Sequence, residues 1–344
     1  MNILVLAGGL SPERNVSLSS GSLISAALRR RGHKVLMLDV YEGTVMSTDP
    51  LSMFTSEQQE ALFVSEEVPD LEELKRKNGG GDALIGKNVL QLCALADAVF
   101  IALHGAMGEN GQLQATLDSF GITYTGSGYA GSLLAMDKDL SKKMLIGAGV
   151  TTPPWIYCDA KSCEVDKIIS EIGLPCVVKP AAGGSSVGVS IVDTKEQLEA
   201  AFAEAGIYEA NLIVEKKISG REFTCGILEG QVLPPVEIIP KQGFYDYKNK
   251  YQKDATTEIC PAPLTEKELE DISQATRLAF SALRLSGYSR FDFIMDSDGV
   301  FWCLEANTLP GMTPTSLFPQ EAAAVGISYD ELCERIAMTA RNKK

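Results

Sequence analysis

The first forty residues alternate between a continuous apolar run and a helical spacing. Ile3-Leu4-Val5-Leu6 ends in Ala7-Gly8-Gly9, which reads as a buried strand followed by a tight turn. Apolar positions three and four apart then predict a helix over residues 17–31, and a second strand follows over 34–40. Strand, helix, strand in that order is a βαβ unit and implies a parallel sheet. Another apolar run at 98–103 ends in His104-Gly105, with a helix expected over 112–120. Ligands of open parallel sheets gather at the carboxyl ends of the strands, so the tips at 8–17 and 104–111 should lie together and face a binding site. The stretch 44–90 is less regular, with an acidic helix candidate near 56–77 and a glycine loop at 78–81, and reads as an insertion.

A charge-rich helix begins around 137–143, and Thr151-Thr152-Pro153-Pro154 breaks the chain into a new segment, so the domain junction is expected near 130–136. A second α/β region follows, with strands at 176–180, 189–192 and 211–216, a glycine loop at 181–188 and a helix at 195–204. Strands at 222–229 and 232–239, an irregular stretch at 240–262, a helix at 265–285, a hairpin, and a helix after Tyr329 complete the chain.

That hairpin is the most informative element. Asp298-Gly299 between apolar runs predicts a two-residue type I′ turn. With those two residues in the turn, Asp292 falls opposite Glu305 and Arg290 opposite Asn307. The four polar side chains then share one face, and Phe291, Phe293, Trp302 and Leu304 point into a core on the other. Facing carboxylates destabilise a sheet unless a cation lies between them. Hard oxygen donors of this kind suit magnesium bound together with phosphates.

The 344 residues exceed one typical core, so two or three domains are expected. A formal charge of −14 argues against nucleic acid or an anionic membrane as partner, and it makes local clusters of lysine informative. Eight cysteines show no metal-ligand spacing; Cys93, Cys176, Cys225 and Cys303 sit in apolar runs and read as reduced core thiols. With no signal peptide and no run long enough to span a membrane, the expected location is the cytoplasm.

Candidate chemistry lies where strands end. Lys179-Pro180 leads into Ala-Ala-Gly-Gly-Ser-Ser-Val-Gly (181–188), a loop whose backbone N–H groups are suited to phosphates, although it is not a Walker A sequence. Glu215-Lys216-Lys217-Ile218 and Gly220-Arg221-Glu222 carry carboxylates at two strand corners; these suit the polar edges of an adenine and a ribose, or form a solvated charge cluster. Residues 243–251 pack four aromatics and two lysines into the irregular stretch, which reads as a lid that excludes water. Glu13, between strand and helix, suits a substrate ammonium or simply the helix dipole. His104 is one of two histidines and sits at a strand tip.

Taken in order, these runs resemble the D-alanine–D-alanine ligases of the ATP-grasp superfamily over nearly the whole chain. The motifs are Gly-Gly-Leu-Ser-Pro-Glu-Arg-Asn-Val-Ser (8–17), His-Gly-Ala-Met-Gly-Glu-Asn-Gly (104–111), Tyr-Thr-Gly-Ser-Gly (124–128), Met-Asp-Lys (136–138), Gly-Ser-Ser-Val-Gly (184–188), Phe-Tyr-Asp-Tyr (244–247) and Glu-Ala-Asn-Thr-Leu-Pro-Gly-Met-Thr (305–313). The resemblance implies an α/β fold: an N-terminal Rossmann-like domain over 1–135, then a two-part ATP-grasp fold over 136–214 and 215–344 with a lid at about 240–262.

It also implies roles. Lys138, Lys179 and Lys250 would contact ATP phosphates, Glu215, Lys216 and Ile218 the adenine, and Glu222 the ribose. Asp292, Glu305 and Asn307 would carry two Mg2+ (or Mn2+) ions. Glu13 would bind the ammonium of the first D-alanine, linked through Ser185 and Tyr251 to the lid, with Val16, Ser17 and His104 nearby. Arg290 and the Gly311 backbone N–H would stabilise the oxyanion, and Ser316 would take the second substrate's carboxylate. The implied reaction ligates two D-alanines through a D-alanyl phosphate, for peptidoglycan precursors in cell-wall biogenesis, in a homodimer. Thr313-Pro314-Thr315-Ser316 and Ala106-Met107 depart from the family's usual residues. A ligase using D-serine or D-lactate as second substrate remains the alternative, although Tyr251 favours the dipeptide. An NAD-dependent dehydrogenase is disfavoured because no G-x-x-G follows Gly8-Gly9.

Overall fold

A computed structural model of the chain describes residues 1–58, 69–184, 188–241 and 256–340, the Ala106 side chain excepted. Three sheets organise these residues. The first is parallel, in the order β2-β1-β3, from β1 (Asn2–Ala7), β2 (Lys34–Asp39) and β3 (Ala98–Ile101). Ile3 to Leu6 are wholly buried because both faces of β1 are covered, as its uninterrupted apolar run requires. The helix Arg14–Arg30 follows, three residues earlier than its spacing predicted.

This core is not confined to the N-terminal segment. Leu332, Cys333, Ile336 and Ala337 of the last helix, Tyr329–Thr339, pack into it. At the rim of the same contact Arg30 pairs with Asp330 at 2.6 Å, and Arg31 with Glu334 at 2.5 Å. Such exposed pairs are screened by solvent and add little, so the apolar contact holds the two ends of the chain together.

The second sheet is antiparallel, in the order β4-β7-β5-β6: β4 (Trp155–Asp159), β5 (Cys176–Pro180), β6 (Ser190–Val192) and β7 (Asn211–Lys216). The third runs β11-β10-β8-β12-β13, with β9 beside β8: β8 (Arg221–Leu228), β9 (Gln231–Val232), β10 (Val236–Pro240), β11 (Thr256–Ile259), β12 (Tyr288–Met295) and β13 (Phe301–Asn307). The predicted strand at 232–239 is broken by Pro234-Pro235, and β11 lies inside the stretch read as irregular. The expected junction at 130–136 falls within a helix, Tyr129–Met136. Strand β4 and the helix Val165–Glu171 carried no clear pattern, since β4 is only half-buried.

Six cysteines are free, among them buried Cys93, Cys176, Cys225 and Cys303 as expected. Cys158 and Cys163 form a disulfide, which the sequence reading did not foresee. They flank a turn closed by the Ser162 N–H on the Asp159 carbonyl, which brings their Cα atoms to 5.5 Å. Among the described residues no helix is long and apolar enough to cross a membrane.

Candidate active site

The site is built on one face of the third sheet. Arg290 pairs with Asn307 and Asp292 with Glu305, as the hairpin predicted. The turn itself differs: the Gly299 N–H bonds the Asp296 carbonyl, and Asp296 closes on Val300, so three residues rather than two form the loop, with Gly299 at positive φ. A bulge at Leu304 on β13 absorbs the difference, because Phe293 pairs with Cys303 while Asp292 still meets Glu305. Its consequence is a correction. Phe291, Phe293, Phe301 and Cys303 form the core face, whereas Trp302 and Leu304 lie outside that core. Leu304 lines the cleft beside Ile294, and the Trp302 indole donates to Asp296 at 2.7 Å.

The cation expected between the carboxylates is partly supplied by the chain. Arg290 Nε and Nη2 donate to the two oxygens of Asp292, both at 2.9 Å, and Thr224 Oγ1 and Asn307 Nδ2 donate to it as well, at 2.9 and 3.0 Å. Such a bidentate pair fixes the guanidinium plane. Thr224 comes from β8, the neighbouring strand, so three strands hold one carboxylate.

Beside this face a cleft of about 600 Å³ opens between the second and third sheets. Lys138, Lys179, Gly183, Gly184, Glu215, Lys216, Ile218, Glu222, Asp292 and Glu305 all line it. The end of β5 delivers Lys179, and the helix Lys138–Gly147, capped by Asp137 on the Leu140 N–H, delivers Lys138 at its first turn. Lys138 Nζ donates to the Gly183 carbonyl at 2.6 Å, so the lysine steadies the start of the glycine loop. Burial, reinforced by the charge of Lys179, holds the Lys138 ammonium below its usual range despite nearby glutamates.

Glu215 is buried between Lys179 at 2.6 Å and Lys142 at 2.8 Å. Burial pushes its carboxyl up, but the two lysines outweigh it and hold it below the ordinary carboxylate range. Lys142 is the residue the sequence reading missed. It is 1% exposed, donates to Thr152 Oγ1 at 2.8 Å and the Pro153 carbonyl at 3.2 Å, and lies 5.5 Å from the Trp155 ring centroid. One helical turn after Lys138, its i, i+4 spacing was the available signal.

The two N-terminal tips do approach one another. A Cβ at Gly105 would lie 2.7 Å from Glu13 Oε2, and one at Gly184 would lie 3.9 Å from the same atom. His104 Nε2 is 3.5 Å from Ser20 Oγ, and burial lowers its pKa. Glu109, one turn on, accepts the Gly105 N–H at 2.6 Å; burial, then the Glu13 charge, pushes its carboxyl up to about 8. The Ser17 hydroxyl accepts the Gly8 N–H at 2.9 Å and donates to the Ala102 carbonyl at 2.8 Å. Fully buried, it ties β1 to the end of β3. Val16 beside it is half-buried.

After β13 the chain passes Gly311 to Ser316, the N-cap of the helix Leu317–Ala324. The Ser316 hydroxyl bonds Thr313 Oγ1 at 2.7 Å and the Thr313 N–H at 3.1 Å, and a Cβ at Gly311 would approach it to 3.0 Å. Ser185, Lys250, Tyr251, the 244–247 motif and most of the expected lid lie outside the described residues.

Comparison with known proteins agrees with this arrangement. Residues 2–127 match the family model for the D-ala D-ala ligase N-terminus, and residues 144–338 match that for the C-terminus. The D-alanine–D-alanine ligase of Pediococcus pentosaceus is 42% identical over 98% of this chain and 97% of its own. That of Lacticaseibacillus casei is 39% identical over 96% and 93%. Among solved structures, the Bacillus anthracis D-alanine–D-alanine ligase complexed with ATP superposes with a TM-score of 0.77 at 30% identity, covering 99% of this chain and 98% of that one. The VanG D-Ala:D-Ser ligase of Enterococcus faecalis gives the same TM-score at 27% identity, over 98% and 99%. With both halves matched and the ATP-grasp architecture shared, the chain belongs to the D-alanine–D-alanine ligase family.

Proposed function

We propose that the chain ligates two D-alanines into D-alanyl-D-alanine, with cleavage of ATP to ADP and phosphate, as a cytoplasmic step of peptidoglycan precursor synthesis. The observation that carries this reading is the junction of a lysine-lined cleft with the Arg290–Asp292 face, with the Glu13 tip close to the glycine loop between them. In the first step a carboxylate oxygen of one D-alanine attacks the γ-phosphorus of ATP, and ADP leaves. The amine of the second D-alanine then attacks the acyl carbon; phosphate leaves, and the amine gives up a proton.

Lys138 and Lys179 bind the nucleotide's phosphates, Glu215, Lys216 and the backbone at Ile218 hold the adenine, and Glu222 holds the ribose. Glu13 takes the first ammonium, with His104 nearby; Ser185 and Tyr251, assigned to the same substrate, and Lys250, assigned to the transferred phosphate, lie outside the described residues. Arg290 and the Gly311 N–H face the oxyanion, and Ser316 faces the second carboxylate.

Asp292, Glu305 and Asn307 suit Mg2+ or Mn2+ in donor type, since all three offer oxygen. Among the described residues no cluster of three His, Cys, Asp or Glu side chains that could hold a metal is found, and Mg2+ held by one or two carboxylates takes its other ligands from waters and substrate phosphates. When bound, the divalent ions neutralise charge on the transferred phosphoryl group. A homodimer, tested by light scattering, is the expected assembly.

The test is phosphate release with ATP and magnesium, comparing D-alanine alone with D-alanine plus D-serine or D-lactate. Turnover on D-alanine alone is expected; none without D-serine or D-lactate would overturn the dipeptide assignment.

A further inference from the structure

The sheet face that carries Arg290 has a gap beside it. On β8 the residue paired with Asp292 is Thr224, and the residue paired with Arg290 is Gly226. Directly paired residues share a face, so a side chain at 226 would lie next to the guanidinium stem. Glu321 fills that space from the helix Leu317–Ala324: a Cβ at Gly226 would overlap Glu321 Oε2 and press on the Phe318 ring at 2.8 Å. Only glycine at 226 lets the carboxyl reach this depth.

Glu321 is 0% exposed. Apart from an approach by the Gly226 N–H, neither of its oxygens has a hydrogen-bond partner among the described residues. Burial pushes the carboxyl well above its ordinary range; Arg290 is the cation that opposes this, and Asp292 the anion that adds to it. An unsatisfied buried acid costs stability, and a place where packing and polar satisfaction disagree marks a functional demand.

That demand is visible in Asp292. Its two oxygens already hold Arg290, Thr224 and Asn307, and in the proposed function the same carboxylate must also turn to a divalent cation. We propose that Glu321 is a positioning residue for Arg290, a second carboxyl kept out of water beside the Arg290 side chain that keeps the guanidinium aimed into the site once Asp292 engages the cation. The inference rests on the ligase reading above.

The test compares wild type with Glu321→Gln, which keeps the shape but cannot take up a negative charge, and Glu321→Met, which removes the buried acid. Loss of a residue that orients a catalytic group lowers kcat roughly 10–100-fold. That fall is expected in both variants, with KM for ATP within about twofold of wild type and with Glu321→Met melting at a higher temperature. In the magnesium-nucleotide complex the Arg290 Nε–H NMR signal, identified by its loss in Arg290→Lys, should be sharp in wild type and broadened in Glu321→Gln. Wild-type kcat in both variants, or a fall in kcat with the Arg290 signal unchanged, overturns the proposal. Absence of wild-type turnover on D-alanine would instead count against the ligase reading, and the NMR comparison would still stand.

Discussion

The two ends of the site carry opposite charge imbalances. At the nucleotide end Lys138, Lys142 and Lys179 surround Glu215, and burial lowers the pKa of Lys138. At the reaction end Glu13, Glu109, Asp292 and Glu305 gather around Arg290, and burial raises Glu109 to about 8. A chain with a net charge of −14 would not concentrate lysines in a buried cleft by composition alone. Each imbalance suits the ligands proposed for it: phosphates at one end, an ammonium and divalent cations at the other. Pre-set charge of this kind needs no reorganisation when the ligands arrive.

The strongest way to break the comparison is to remove Arg290 from the acidic end. Arg290→Ala should lower kcat by about 10²–10³, or about 3–4 kcal/mol, while nucleotide affinity measured by calorimetry stays within about twofold. Equal losses of both would place the arginine at the nucleotide end instead. Next in size is Lys142→Met, which leaves Glu215 with one lysine in place of two. Breaking a buried pair costs about 3–5 kcal/mol; with Lys179 still in contact, about 3 kcal/mol is expected in urea unfolding, together with weaker ATP binding. A loss below about 1 kcal/mol would show that Lys142 is not needed to balance the cleft.

A smaller effect tests the acidic end through pH. The folded-state pKa of Glu109, about 8, lies above its ordinary 4.5, so the folded protein keeps a proton that the unfolded chain releases. Its favourable contribution is complete below about 4.5 and is lost as pH rises towards 8. Glu109→Gln should therefore flatten the fall in stability between roughly pH 5 and 8 by on the order of 1–2 kcal/mol. An unchanged slope in thermal unfolding would mean that Glu109 is not held protonated.

How far the sequence foretold these ends differs for physical reasons. The Arg290–Asn307 and Asp292–Glu305 pairings came out as read because the three-residue turn and the bulge at Leu304 shift the register by one residue in opposite senses. The bulge itself was not legible, since one extra residue leaves no mark on a short alternating run, and it moved Trp302 and Leu304 off the core face. Lys179 and Glu215 were visible as strand-end charges. Lys142 was not, because a buried lysine in a charged helix looks like a solvated one until the fold closes over it. The burial of Ser17 was not legible either: its hydroxyl bonds the backbone after β1 and the end of β3. Glu109 and Glu321 gave no signal of burial in a sequence with 45 acidic residues.

The opposed imbalance is tested most directly by proton linkage. Isothermal titration near pH 8 in buffers of different ionisation enthalpy counts the protons exchanged on binding. Binding of a non-hydrolysable ATP analogue should take up protons, because phosphate raises the depressed Lys138 ammonium. D-alanine added to that complex should release them, because its ammonium lowers the raised carboxyls. Exchange of the same sign in both steps, or none in either, would contradict the account.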